Sequence, residues 1–311
     1  MSAGEASGPD RADDARTPLR PRRSVLYMPG ANERALAKAA TLPADALILD
    51  LEDAVAPDAK SDARARVVAA AGSGDYGVRE VTIRVNALGT RWHDDDVAAV
   101  ATSGADAMVV PKIDSGADVD RVAAALDRAG APSDLAIWAM IETPRGVFAA
   151  REIAEASARL TAFVLGTNDL VKELRARFVP GRAPLLAALS TVVLAARATG
   201  TTVLDGVFND LADDDGFAAE CRQGRDMGFD GKTLIHPRQL AAANRAFSPT
   251  DDEVDWSRRV ITAFEEAAEQ GRGVATVDGR MIENLHVDQA RDTLAAVAAI
   301  AALAQDHDEQ G

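Results

Sequence analysis

A chain of 311 residues is long enough for one large core plus an appendage, and its 34 Lys and Arg against 49 Asp and Glu give a formal charge of −15. That balance offers no basic face to neutralise phosphates, which argues against nucleic-acid binding. The single cysteine, Cys221, rules out an intramolecular disulfide; no apolar run approaches the ~18 residues of a membrane span and no leader pattern is evident, so a cytoplasmic protein is expected.

Residues 1–22, rich in Ala, Asp, Arg, Gly and Ser and without periodicity, read as a disordered tail. Eight apolar runs follow. Ser24–Met28 stops at Pro29-Gly30, Ala46–Leu49 at Asp50-Leu51-Glu52-Asp53, and Val81–Val85, which carries Arg84, at Asn86. Ala107–Val110 stops at Pro111-Lys112, and Leu135–Ile141 runs into Glu142-Thr143-Pro144. Leu160–Leu165 runs into Gly166-Thr167-Asn168-Asp169, Thr202–Leu204 into Asp205, and Lys232–Ile235 into His236. Ala-rich amphipathic stretches such as 59–71 and 115–129 follow nearly all of them. Strand and helix alternating every ~25 to 30 residues argue for a parallel sheet covered on both faces. Eight such units fit a closed (β/α)8 TIM barrel, usually about 250 residues, here over 23–247; an open doubly wound sheet is the rival.

Ser248-Pro249-Thr250 then opens a C-terminal helical extension over 248–304. Its helices are expected at about 253–270 and 287–304, with the Gly-punctuated 271–279 as a connector in preference to a mobile lid. Residues 305–311 read as a second tail.

The ends of the runs carry the chemistry. A carboxylate at the end of a buried strand is too costly to bury alone. Glu142 and Asp169, on neighbouring strands, would repel each other unless a cation lay between them, and a hard divalent ion held by oxygen is the simplest solution. Barrel topology brings the Asp50, Glu52 and Asp53 cluster to the same mouth, although alone it reads equally well as a solvated loop. Arg84 points to the opposite side of its strand from Ile83 and Val85. Its planar fork suits a substrate carboxylate, or an ion pair with Glu52 or Asp53.

Other motifs are discounted. Gly72-Ser-Gly-Asp-Tyr-Gly77 has the letters of a dinucleotide fingerprint, but a helix precedes it and a strand follows, the reverse of what that fingerprint needs. His93, His236, His286 and His307 are scattered, without paired cysteines, which disfavours zinc, and there is no G-x-S-x-G elbow. Cys221 reads as an ordinary thiol on a helix, and His236 as a residue that closes a strand by local hydrogen bonding.

Taken in order, Arg23-Ser-Val-Leu-Tyr-Met-Pro-Gly30, Leu49-Asp-Leu-Glu-Asp-Ala-Val55, Ile83-Arg-Val-Asn86, Thr90-Arg-Trp92, Val110-Pro-Lys112, Ile141-Glu-Thr143, Leu165-Gly-Thr-Asn-Asp169, Gly231-Lys232 and Ile235-His-Pro237 resemble the citrate lyase beta subunit family. That family includes malyl-CoA and citramalyl-CoA lyases, and the resemblance spans about residues 23–295. It implies a barrel with a helical extension, assembled as a homo-trimer or a pair of trimers. It also implies Mg²⁺, with Mn²⁺ as a substitute, ligated by Glu142 and Asp169, with Glu52 and Asp53 holding its water ligands. Arg84 would contact the oxo acid or its thioester partner, and Gly166, Thr167, Asn168 and Lys112 would line the substrate, Lys112 as polar support and not as a Schiff base.

One departure stands out. Family members commonly carry Gly-x-Met-Ile-Asp in the extension, whose aspartate serves a neighbouring subunit as acid/base. Here the run is Gly279-Arg-Met-Ile-Glu283. The longer side chain changes the reach by about 1.5 Å, and a misplacement of about 1 Å can cost on the order of 100-fold. The implied reaction is reversible C–C cleavage of a hydroxy-carboxyacyl-CoA into a 2-oxo acid and an acyl-CoA. Hydrolysis of the thioester at the same site, or a non-catalytic metal-binding subunit, are the alternatives.

Overall fold

In the computed structural model, residues 20–309 are described, so the expected tail over 1–22 lies outside them except at its end. Strands β1 (Ser24–Pro29), β2 (Ala46–Asp50), β3 (Glu80–Arg84), β4 (Ala107–Val110), β5 (Ala136–Ile141), β6 (Leu160–Leu165), β7 (Thr202–Asp205) and β8 (Gly231–Leu234) close into a barrel in sequence order. Pairing of Ser24 with Lys232 joins β1 to β8 in parallel and rules out the open sheet. The strands fall within a residue or two of the apolar runs that foretold them.

Alternation along each strand splits the apolar residues into two cores. Val25, Ile48, Val109, Trp138, Met140, Val164 and Leu204 pack together inside the barrel. Leu26, Leu47, Leu49, Ile83, Met108, Ile137 and Phe163 belong to the larger core shared with the surrounding helices. Because both faces of every strand are covered, the sequence runs are continuously apolar and not alternating. At the start of the barrel, Arg22 pairs with Glu80 and Arg23 with Asp45, both carboxylates being buried. The chain at Arg22 passes so close to Gly231 that a Cβ there would collide with the Arg22 carbonyl oxygen.

Several local expectations hold. The helix expected over 59–71 forms at Lys60–Ala71 and ends at Gly72, so the glycine-rich segment is the link into β3 and not a phosphate loop. The helix Gly116–Arg128 is N-capped by Ser115, whose hydroxyl accepts the Asp118 N–H. Cys221 is buried on the helix Asp214–Met227, where burial pushes its thiol up to about 12. His236 caps the turn Pro237–Gln239 by accepting the Arg238 N–H at 3.2 Å.

Residues Asp251–Ile300 lie in a second compact unit. One helix spans Asp251–Glu269 and another begins at Asn284. The expected connector 271–279 is not a plain loop. Strands β9 (Ala275–Val277) and β10 (Arg280–Ile282) pair antiparallel across Asp278-Gly279. Both turn residues have positive φ, 48° and 75°, as the twist of a two-residue hairpin demands. Val277 and Ile282 pack with Val260, Val287 and Ala290. The final helix runs to Glu309, past Gln305 where a tail was expected to begin. Among the described residues, no helix is long and apolar enough to cross a membrane.

Candidate active site at the barrel mouth

Beyond the C-terminal strand ends lies a cavity of about 430 Å³, lined among others by Tyr27, Asp50, Arg84, Glu142, Asn168 and Asp169. Glu142 follows β5 directly, and the register of Ile141 with Leu165 places Gly166 beside it. A Cβ on Gly166 would overlap the Glu142 carboxylate, so glycine is what lets that carboxylate sit there. Glu142 is buried, and its Oε1 accepts the Lys112 N–H at 2.8 Å. Burial raises its carboxyl to about 7; Lys112 opposes the rise, while Glu52 and Asp169 add to it. Asp169 stands in the first turn of the helix Thr167–Glu173, which starts immediately after Gly166.

Lys112 occupies the centre of this group. Its backbone is left-handed, with φ 54°, an uncommon conformation for a residue with a Cβ. Its ammonium lies 2.8 Å from Glu52 Oε1, 3.9 Å from Glu142 Oε1 and 3.8 Å from Asp169 Oδ2. One lysine cation thus stands among three carboxylates, two of them buried. Burial raises the Glu52 carboxyl against the opposing charges of Arg84 and Lys112.

Arg84 corrects an expectation. Its fork is not free for a substrate carboxylate: Nε and Nη2 each lie 2.7 Å from an oxygen of Asp50. The β2–β3 register sets Asp50 directly beside Arg84, and both are buried. Burial alone would raise the Asp50 carboxyl, but the charge and two bonds of Arg84, with the Glu52 and Ala54 N–H groups, hold it below its ordinary value. Only Nη1 faces the loop. It lies 3.0 Å from Glu52 Oε2, out of hydrogen-bonding alignment, and 3.5 Å from the largely exposed Asp53. The guanidinium also rests on the Tyr27 ring, 4.9 Å from its centroid.

The mouth therefore gathers Glu52, Asp53, Arg84, Lys112, Glu142, Gly166, Thr167, Asn168 and Asp169. Thr167 is buried and its Oγ1 has no hydrogen-bond partner, whereas Asn168 exchanges amide bonds of 2.7 and 3.3 Å with Asn209. Glu283 belongs to the C-terminal unit; it is exposed there, and its N–H donates to His286 Nδ1 at 3.1 Å. Sequence reasoning passed over two residues. Asp50 was one acid in a cluster, although β-alternation puts it on the inner face with Ile48. Tyr27 lay within an apolar run, yet it shares the inner face with Val25.

A larger cavity of about 510 Å³, with Phe178, Val179, Arg182, Phe208 and Gln223 in its wall, lies next to the mouth and shares Thr167 and Val207 with it. Behind its wall Arg182 pairs with Asp205 at 2.7 Å, and Lys232 pairs with Asp205 at 3.0 Å and with Glu220 at 2.8 Å. The smaller cavity carries the unbalanced carboxylates.

Among the described residues, no three His, Cys, Asp or Glu side chains converge on one point. Mg²⁺ does not require that, since it is commonly held by one or two carboxylates with waters and substrate oxygens completing the shell. Glu142 and Asp169 meet this requirement with oxygen donors only, and the Lys112 ammonium already marks the place as one that favours a cation.

The sequence pattern of the HpcH/HpaI aldolase/citrate lyase family matches residues 23–237. The chain is 54% identical over 282 residues to a (3S)-malyl-CoA thioesterase of Cereibacter sphaeroides, covering 91% of this chain and 96% of that one. It is 39% identical over 277 residues to the citrate lyase subunit beta of Escherichia coli, covering 88% and 92%. Among solved structures, the protein CitE from Mycobacterium tuberculosis in complex with magnesium, acetoacetate and coenzyme A superposes with a TM-score of 0.72 at 30% identity, covering 88% of this chain and 97% of that one. With the closed barrel and the carboxylate-lined mouth, these matches place the chain in the HpcH/HpaI aldolase/citrate lyase family.

Proposed function

We propose that the protein is a Mg²⁺-dependent enzyme that reversibly cleaves the C–C bond of a malyl-CoA-like hydroxy-carboxyacyl thioester, giving a 2-oxo acid and an acyl-CoA. The observation that carries this reading is the buried Glu142 beside Asp169, with a cationic side chain between them and Arg84 across the same cavity. Glu142 and Asp169 would hold the metal, and Glu52 and Asp53 its water ligands. Bound there, Mg²⁺ supplies Lewis acidity that lowers the pKa of the substrate hydroxyl and orients the bond to be broken. Arg84, with Asp50 fixing its other edge, offers Nη1 to the oxygen on which negative charge develops. Lys112 would release its carboxylate partners to the metal and remain as polar support. Gly166, Thr167 and Asn168 would border the oxo acid. Glu283 would take or return the hydroxyl proton as the acid/base of a neighbouring subunit, within a homo-trimer or hexamer.

A second reading, hydrolysis of the same thioester, is favoured by the 54% identity to a protein named as a thioesterase. The two differ in what leaves the site. Incubating malyl-CoA with the protein and Mg²⁺ should yield acetyl-CoA and glyoxylate if C–C cleavage is the reaction. Free CoA thiol together with malate would replace that reading by hydrolysis. EDTA should abolish either activity and Mg²⁺ or Mn²⁺ should restore it; full turnover in metal-free protein would sink the metal assignment.

A further inference from the structure

We propose that Tyr27 is a substrate-binding residue whose hydroxyl donates a hydrogen bond to an oxygen of the 2-oxo acid held between Arg84 and Glu142. The inference rests on the functional reading above and adds a contact to it. Tyr27 projects from the inner face of β1, two residues beyond the core residue Val25, and packs against the apolar cluster that fills the barrel. It is half-buried and lines the mouth cavity with Arg84, Glu142 and Asp169. Two contacts place it. Its ring lies under the Arg84 guanidinium at 4.9 Å, and its hydroxyl reaches Met140 Sδ at 3.9 Å, two residues before Glu142. The phenol therefore bridges the floor of the cavity from the Arg84 side to the Glu142 side.

The hydroxyl is under-used where it stands. A thioether sulfur is a weak acceptor, and at this distance it satisfies little of a phenolic donor's capacity. A ligand oxygen entering between Arg84 and Glu142 offers that hydrogen a stronger partner. Burial pushes the Tyr27 hydroxyl pKa upward, Arg84 opposing and Asp50, Glu142 and Glu52 reinforcing, so the group keeps its proton at neutral pH and remains a donor. The ring's contact with Arg84 does not involve the hydroxyl, and the two roles are separable.

The chain has two tyrosines, Tyr27 and Tyr76. Tyr76 is buried and donates to the Leu36 carbonyl at 3.2 Å, which makes it an internal control. Protein labelled with 3-fluorotyrosine should show two ¹⁹F resonances, assigned with Tyr76→Phe. Glyoxylate or pyruvate added with Mg²⁺ should shift the Tyr27 signal and leave the Tyr76 signal in place. By calorimetry, Tyr27→Phe, which keeps the ring beneath Arg84, should bind the oxo acid about tenfold more weakly, with Mg²⁺ affinity unchanged. A Tyr27 signal that stays put at saturation, or a Tyr27→Phe protein that binds the acid within twofold of wild type, overturns the proposal while leaving the functional reading intact. If wild-type protein binds neither oxo acid in the presence of Mg²⁺, the functional reading fails and this contact with it. Should Tyr27→Phe not fold, the fluorine experiment on otherwise unaltered protein still decides.

Discussion

Gly166 and Glu142 occupy adjoining strand ends so closely that no side chain fits between them. The Gly166 backbone has φ −93°, within reach of any residue, so its requirement is for space and not for conformational freedom. Gly166→Ala should displace the Glu142 carboxylate while the barrel stays folded. The expected result is at least a tenfold loss of Mg²⁺ affinity by calorimetry, with a nearly unaltered circular dichroism spectrum. Retention of wild-type metal affinity would mean that Glu142 is not a ligand.

Metal binding should depend on pH through Glu142. Burial raises its carboxyl to about 7 in the folded, metal-free protein, against 4.5 for an ordinary glutamate. Metal must displace that proton, so affinity should fall about tenfold per unit as pH drops below ~7. For stability the sign is opposite. Between about 4.5 and 7 the folded state binds more protons than the unfolded one, so this group's contribution to metal-free stability is greatest at low pH and declines as pH rises. Glu142→Gln should flatten that part of the stability profile. An equal slope in both proteins over this window counts against the assignment.

Arg84→Lys is expected to be harmful for two reasons. Lysine cannot make both bonds to the buried Asp50, which leaves an acceptor under-satisfied at a cost of about 1–3 kcal/mol. It also withdraws the Nη1 donor, and losing such a donor typically slows turnover by ~100- to 1000-fold. Thermal unfolding and kcat measured on the same preparation separate the two effects. Turnover near wild type with a lowered Tm would make Arg84 purely structural.

The acid/base role proposed for Glu283 requires two chains. Glu283→Ala and Glu142→Ala proteins should each be inactive, and subunit exchange between them should restore some turnover, since certain junctions would then combine two intact halves. No recovery in oligomers shown to be mixed would confine Glu283 to its own subunit or remove it from the chemistry.

Local pattern was enough to foretell the barrel. Eight continuous apolar runs, nearly all followed by an Ala-rich helical stretch, have few other ways to bury both faces of a strand, and their ends necessarily share one rim. Glu142 and Asp169 are therefore visible in the sequence alone as charges at the ends of buried strands. The hairpin over 275–282 was read as part of a connector, because strands of three residues are too short for alternation to show. What tertiary structure decided was partnership. Arg84 does reach Glu52 and Asp53 through Nη1, as expected, but register across β2 and β3 gives Nε and Nη2 to Asp50, 34 residues away, which no local pattern indicated. Lys112 looked like polar support at a strand end, and only the fold sets its ammonium among Glu52, Glu142 and Asp169. Such pairings depend on which strands are neighbours, in what register, and how much water is excluded, and these are properties of the closed barrel that no local stretch of sequence contains.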